Sequence, residues 1–147
     1  MSHQINTRTI AKHYLIAAVW ANAPEGTNPR APHETQRVAQ IIAERFAELI
    51  QPLWPELQAA GERGYGSHPD AGSVEAALGH DLWLTSQGHG TGFWDRDELT
   101  HCIQDGARVE SPLGAALTRI VEDGGFSGVY PDFYQGWVYL HGWGGAK

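Results

Sequence analysis

His80-Asp81-Leu82-Trp83-Leu84-Thr85-Ser86-Gln87-Gly88-His89-Gly90-Thr91-Gly92-Phe93-Trp94-Asp95 is the stretch on which the reading of this chain turns. Two Trp, two His, two Asp and three alternating Gly fall within these sixteen residues. Trp and Phe supply large apolar contacts, and Gly lets the backbone turn tightly or approach another group closely. Leu82 and Leu84 alternate with Asp81, Trp83 and Thr85, and Phe93-Trp94 follows the glycines. The pattern predicts a hairpin: a strand over Asp81–Thr85, a Gly-rich loop, and a returning strand.

Flanking segments read outward from it. Ile10 and Leu15 to Trp20 predict an N-terminal helix, ended by the turn formers of Asn22–Pro29. A second helix is expected from Pro32, with Val38, Ile41, Ile42, Phe46, Leu49 and Ile50 at helical spacing. Leu53–Ala60 adds a further turn or two of helix, and Gly61–Gly72 reads as a surface loop. Ser73 caps a short helix that Gly79 stops. After the hairpin, helices are expected over Arg96–Asp105 and Leu113–Asp123. A second aromatic hairpin follows, Phe126–Tyr134 and Trp137–His141 around Gln135-Gly136.

The expected fold is therefore α+β and one domain over residues 1–147. Its small antiparallel sheet would be built from two aromatic-rich hairpins packed against N-terminal and intervening helices. N-terminal helices occupy about residues 8–60, a loop 61–72, and a hairpin-helix-hairpin core 79–141. At 147 residues with 41% hydrophobic residues, the chain can bury one core.

Charge narrows function. The formal net charge is −7, and the ten Lys and Arg are scattered, so direct nucleic-acid binding is not expected. An acidic surface suits docking to a basic partner. With Cys102 the single cysteine, no intramolecular disulfide is available, which points to a reducing cytoplasm. No leader-like start and no run of eighteen apolar residues is present, so neither secretion nor a membrane is expected.

Several chemistries can be weighed on the motif. Gly88, Gly90 and Gly92 form a G-x-G-x-G, but no Gly-Lys-Ser/Thr and no helix follows, so the glycines read as turn residues. His80, Asp81, His89, Asp95, Asp97, Glu98 and His101 lie close in sequence, and His80, His89, Asp95 and His101 form the alternative metal set. They lack a recognised ligand spacing; Asp95 is equally suited to capping a helix at Arg96, with Glu98 completing the box. No cofactor is expected on the main reading, and a divalent metal on the alternative one. Ser86, His89 and Asp95 have no Gly-x-Ser-x-Gly elbow, and Cys102 sits beside His101, a spacing at which helical side chains do not face each other. Trp83, Phe93, Trp94, Tyr130, Phe133, Tyr134, Trp137, Tyr139 and Trp143 read mostly as core or cross-strand packing, with some free to anchor a protein partner.

The run Gly79–Thr85 with Gly88–Arg96 resembles the signature of a family of small phage- and prophage-encoded proteins of unknown function. That shared pattern is His-Asp-aromatic-Trp-Leu-Thr-x-x-Gly-His-Gly-x-Gly-Phe-Trp-Asp. Tyr14–Trp20 is similar to the family's N-terminal helix; Pro112–Thr118 and Gly136–Leu140 are similar to its C-terminal helix and last hairpin. The likeness spans about half the chain. It departs between Arg96 and Ser111, over 97–111, where an insertion carries His101 and Cys102. The resemblance implies a mobile-element origin and the cytoplasm of a bacterial host, and it transfers no activity.

Two functions are thus expected in competition. One is a non-catalytic accessory protein that binds a host protein through His89, Trp83, Trp94 and Asp95. Its sharpest version inhibits a defence nuclease such as a CRISPR effector, in the manner of an anti-CRISPR, by occupying a basic nucleic-acid groove. The other is a small metal-dependent hydrolase built on His80, His89 and Asp95, with Asp81 or His101 completing the shell. The sequence leaves the oligomeric state open.

Overall fold

A computed structural model describes residues 5–67, 72–88 and 91–144. Helix α1 (Thr7–Asn22) starts where the Asn6 side chain accepts the Thr9 N–H at 3.1 Å. Helix α2 (His33–Ile50) follows Pro32 as expected and buries Ala39, Ile42, Ala43, Phe46 and Ile50. Helix α3 (Trp54–Glu62) comes after a 3₁₀ turn over Gln51–Leu53. Helix α4 (Val74–Gln87) begins at Ser73, whose hydroxyl accepts the Ala76 N–H at 3.1 Å, and ends at Gly88 in the left-handed region.

Helix α4 overturns the first hairpin: Asp81–Thr85 is helical, and Gly79 stops nothing. The physical reason is burial on every side. Residues Ala76–Gly79 and Asp81–Ser86 are all buried, so the helix carries no polar face to reveal a 3.6-residue period. Gly79 is the point where α4 meets α1, and a Cβ there would overlap the Ile10 carbonyl oxygen. The absent side chain thus permits the largest helix–helix contact in the fold.

Downstream, a 3₁₀ turn at Phe93–Asp95 leads to a single helical turn, α5 (Asp97–Thr100). The helix expected over Arg96–Asp105 ends there, and Asp95 caps nothing, since Arg96 occupies the cap position. Strands β1 (His101–Gln104) and β2 (Ala107–Glu110) form an antiparallel hairpin instead. Asp105 (φ 50°) and Gly106 (φ 78°) provide the two positive-φ residues of a type I′ turn. Helix α6 (Leu113–Asp123) falls where expected, with Leu113, Leu117 and Val121 buried.

Strands β3 (Tyr130–Tyr134) and β4 (Trp137–His141) make the aromatic hairpin anticipated around Gln135-Gly136, but the first strand starts at Tyr130 rather than Phe126, because Phe126–Gly128 is a 3₁₀ turn that puts the Phe126 ring into the core. The fold is α+β, but its strands form two separate two-stranded sheets rather than one sheet, and only the second is rich in aromatic residues. Gly61 lies inside α3 rather than at the start of a loop, and the following Tyr65 is buried. The remainder of that expected loop, 68–71, lies outside the described residues.

One buried cluster joins these elements, from Ile10 and Tyr14 of α1 through Phe46 of α2 and Trp83 of α4 to Leu117 of α6. Phe46 stacks on Phe93 at 6.1 Å and meets Phe126 edge-on at 5.7 Å. The β3–β4 hairpin is sewn on by backbone: Arg30 N–H to Gly136 O and Val138 N–H to Arg30 O, each 2.8 Å. The buried Thr35 hydroxyl donates to Val138 O at 2.8 Å, and Gln87 Nε2 to Val129 O at 2.8 Å.

Candidate binding surface

The motif resolves into residues that build and residues that remain outside. Asp81 is 2% exposed, within an apolar run, and a carboxylate in such a place needs partners. Two groups supply them. Arg96 reaches back with Nη2 at 2.6 Å from Oδ1 and Nε at 3.0 and 3.1 Å from the two oxygens, a bidentate clasp. The Tyr65 hydroxyl donates to Oδ2 at 2.8 Å. Burial pushes the Tyr65 phenol well above its usual range, and the adjacent Asp81 charge pushes it further, so it stays a neutral donor. The hydrogen bond to Asp81 raises Arg96 despite the opposing effect of burial. Asp81 and Arg96 stand near the two ends of the motif, so their clasp ties the end of the segment back to α4.

A second tie lies inside the first. Thr85 Oγ1 accepts the Phe93 N–H at 3.1 Å, and a Cβ at Gly92 would run into that same oxygen and the Trp94 ring. Phe93 then enters the core beside Phe46. Trp83 is fully buried and meets Tyr14 edge-on at 5.2 Å. This corrects the expectation that Trp83 contacts a partner: its ring is spent on the core.

The expected binding set is thereby divided. Trp94 stays 40% exposed and Asp95 is exposed beside it, while His89 lies outside the described residues. Of the alternative metal set, His80 packs its ring against Trp20 at 5.9 Å on the α1 side of α4. His101 sits in β1 with Nδ1 3.3 Å from Asp97 and 3.1 Å from the Thr100 hydroxyl. Asp97, in α5, also pairs with Arg108 of β2. Among the described residues, no three His, Cys, Asp or Glu side chains converge as a metal shell would. Cys102 follows His101 in a strand, so their side chains leave on opposite faces.

A further aromatic surface was only half anticipated. In the β3–β4 register Tyr130, Asp132 and Tyr134 lie opposite His141, Tyr139 and Trp137, so all six share the face turned from the core. Tyr130, Tyr134 and Trp137 are exposed, and Asp132 holds His141 at 3.6 Å. Neither Tyr65 nor Arg96 carries a site signal of its own in the sequence. The signal was available in Asp81, a lone acid amid Leu78–Leu84, which required a cation and a donor from elsewhere.

No helix among the described residues is long and apolar enough to cross a membrane. No family model, curated protein or solved structure matches the chain.

Proposed function

We propose that the protein is a phage- or prophage-encoded accessory protein that works by docking on a host protein, with Trp94 and Asp95 at the contact. The observation that carries this reading is the division of the motif. Asp81, Trp83, Thr85, Gly92, Phe93 and Arg96 each have a structural task, whereas Trp94 and Asp95 are built by the same ties and left facing outward. Trp is the residue type most enriched at interface hot spots, and a rigid supporting turn lowers the cost of ordering it on binding. A net charge of −7 favours a basic partner surface, and a nucleic-acid groove of a defence nuclease is the sharpest such target.

The test is affinity purification from a bacterial host, comparing the wild-type protein with Trp94→Ala and Asp95→Ala. A basic, nucleic-acid-binding protein is expected with the wild type, its affinity reduced about 30-fold by Trp94→Ala. Circular dichroism matching the wild type should show that both variants remain folded. Equal recovery by all three proteins would sink this placement of the contact. Stoichiometric metal in purified protein, lost in both His80→Ala and His89→Ala, would instead favour the hydrolase reading.

A further inference from the structure

Arg30 widens the outer face of the β3–β4 hairpin by one more segment of chain. Its N–H donates to Gly136 O and its carbonyl accepts the Val138 N–H, a parallel bridge in which Arg30 pairs with Trp137. Paired residues of a sheet point their side chains to the same side, so Arg30 joins the face turned from the core. Three rows cross that face: Arg30–Trp137–Tyr134 beside the turn, Tyr139–Asp132 in the middle, and His141–Tyr130 at the far end. At about 6.8 Å between alternate residues of a strand, the rows span about 13.6 Å. Tyr130, Tyr134 and Trp137 are 55%, 62% and 39% exposed, and Tyr139 is half-buried, so the rings are partly seated and partly presented.

Planar polar groups stand among the rings: the Arg30 guanidinium, the Asp132 carboxylate and the His141 imidazole. Arg30 makes no ion pair among the described residues, and Asp132 lies 3.6 Å from His141. With histidine counted neutral, the formal charges of this face cancel, on a chain that carries −7 overall. A single cation does not suit a phosphate backbone. Nor does a basic peptide gain from Asp132 when Arg30 offsets it. The face calls for an uncharged ligand that offers apolar surface to the rings, donates to the carboxylate and accepts from the guanidinium. A hydroxyl is the group that does both. Pyranoses with equatorial substituents carry hydroxyls around their edge and C–H bonds on both faces, and a β-1,4-linked chain of them is a flat ribbon that lies along a flat row of amphipathic rings.

We infer that the outer face of the β3–β4 hairpin binds a neutral, β-1,4-linked glycan, with Trp137, Tyr134 and Tyr130 under its pyranose rings and Asp132 and Arg30 taking its hydroxyls. This accounts for three large rings left exposed together on one face, which surfaces without a ligand seldom favour. An open face encloses little of its ligand, so affinity is modest and specificity rests on the planar polar groups. The site shares no residue with the contact proposed for Trp94 and Asp95 and stands independently of it.

Calorimetric titration of the full chain with cellohexaose and with chitohexaose, each to about 10 mM, tests it. Saturable binding of at least one is expected, with a dissociation constant on the order of 1 mM or below. It should be indifferent to salt between about 50 and about 500 mM, since the ligand is uncharged. Trp137→Ala and Tyr134→Ala should each weaken it at least about tenfold, and Asp132→Ala and Arg30→Ala each by about threefold. Circular dichroism matching the wild type establishes that each variant is folded. Failure of both sugars to bind overturns the inference, as does binding that neither ring variant weakens or that added salt abolishes. Decaproline bound in place of the sugars would assign the face to a proline-rich peptide instead. Self-association in sedimentation that Trp137→Ala abolishes, without sugar binding, would assign it to a second copy of the chain; either result overturns the glycan reading.

Discussion

Asp81 shows how much one residue can organise. Its carboxylate is almost wholly buried, and Arg96 and Tyr65 meet it from outside α4. Removing one side of such a pair leaves a buried charge with half its partners, a loss of about 3 kcal/mol. Arg96→Ala should therefore lower unfolding free energy by about that amount, read from denaturant midpoints at unchanged slope. Asp81→Asn with Arg96→Met should recover part of the loss, because no unpaired ion remains. Gly79 makes a second single-residue prediction. Gly79→Ala gains up to about 1 kcal/mol of helix propensity but drives a methyl into the Ile10 carbonyl, so a net destabilisation of about 2 kcal/mol is expected.

His13 adds a dependence on pH. Burial lowers its pKa from 6.5, and the charges of Lys12 and His80 lower it further. The unfolded chain therefore binds more protons than the folded one in the window just below pH 6.5. Stability should fall as pH drops through that window and level off once it passes below the folded-state value. His13→Gln should flatten the slope of melting temperature against pH there; an unaltered slope would assign the effect to another group.

At the scale of elements, α4 and the β1–β2 hairpin differ most from what pattern alone suggests. In helix α4, Leu82 and Leu84 alternate with Asp81, Trp83 and Thr85, yet each of these side chains is enclosed, so the alternation describes no exposed face. The Ser73 cap and the left-handed Gly88 mark its true ends. The β1–β2 hairpin was legible in principle through Asp105-Gly106, the strongest short hairpin signal, but helix-compatible residues around it masked the turn. This hairpin projects, with Ile103 exposed at 59%, and it contributes no residue to the buried cluster. Gly106→Ala places an L-residue in the left-handed region at a cost of about 1 kcal/mol. Amide protection over residues 102–109 should drop, while the global melting temperature moves by less than about 2 °C. A large global shift would show that the hairpin belongs to the cooperative unit.

For the whole molecule, Phe46 is the hinge of the core, touching Phe93 on one side and Phe126 on the other. Through these rings the end of the motif and the approach to the last hairpin share one apolar cluster with α1 and α4. The chain should unfold in a single transition, with near- and far-ultraviolet dichroism superimposing. Phe46→Ala should cost about 4 kcal/mol and shift both signals together. Two separable transitions would mean that the hairpin and helical parts are energetically distinct.

What the sequence alone determined was local. Ser73 and Pro32 mark helix starts by their own hydrogen-bonding or backbone preferences, and Gln135-Gly136 specifies its turn. Helix α2 was readable because one face is wet, which leaves a 3.6-residue period in the letters. The fate of the motif was decided only in three dimensions. Whether Asp81 is a ligand or a clasp depends on Arg96 and Tyr65 arriving beside it, from fifteen residues ahead and sixteen behind. Whether Trp83 or Trp94 faces outward depends on which ring the core encloses. Those are consequences of long-range packing, and a helix buried on all sides leaves no periodic trace of them.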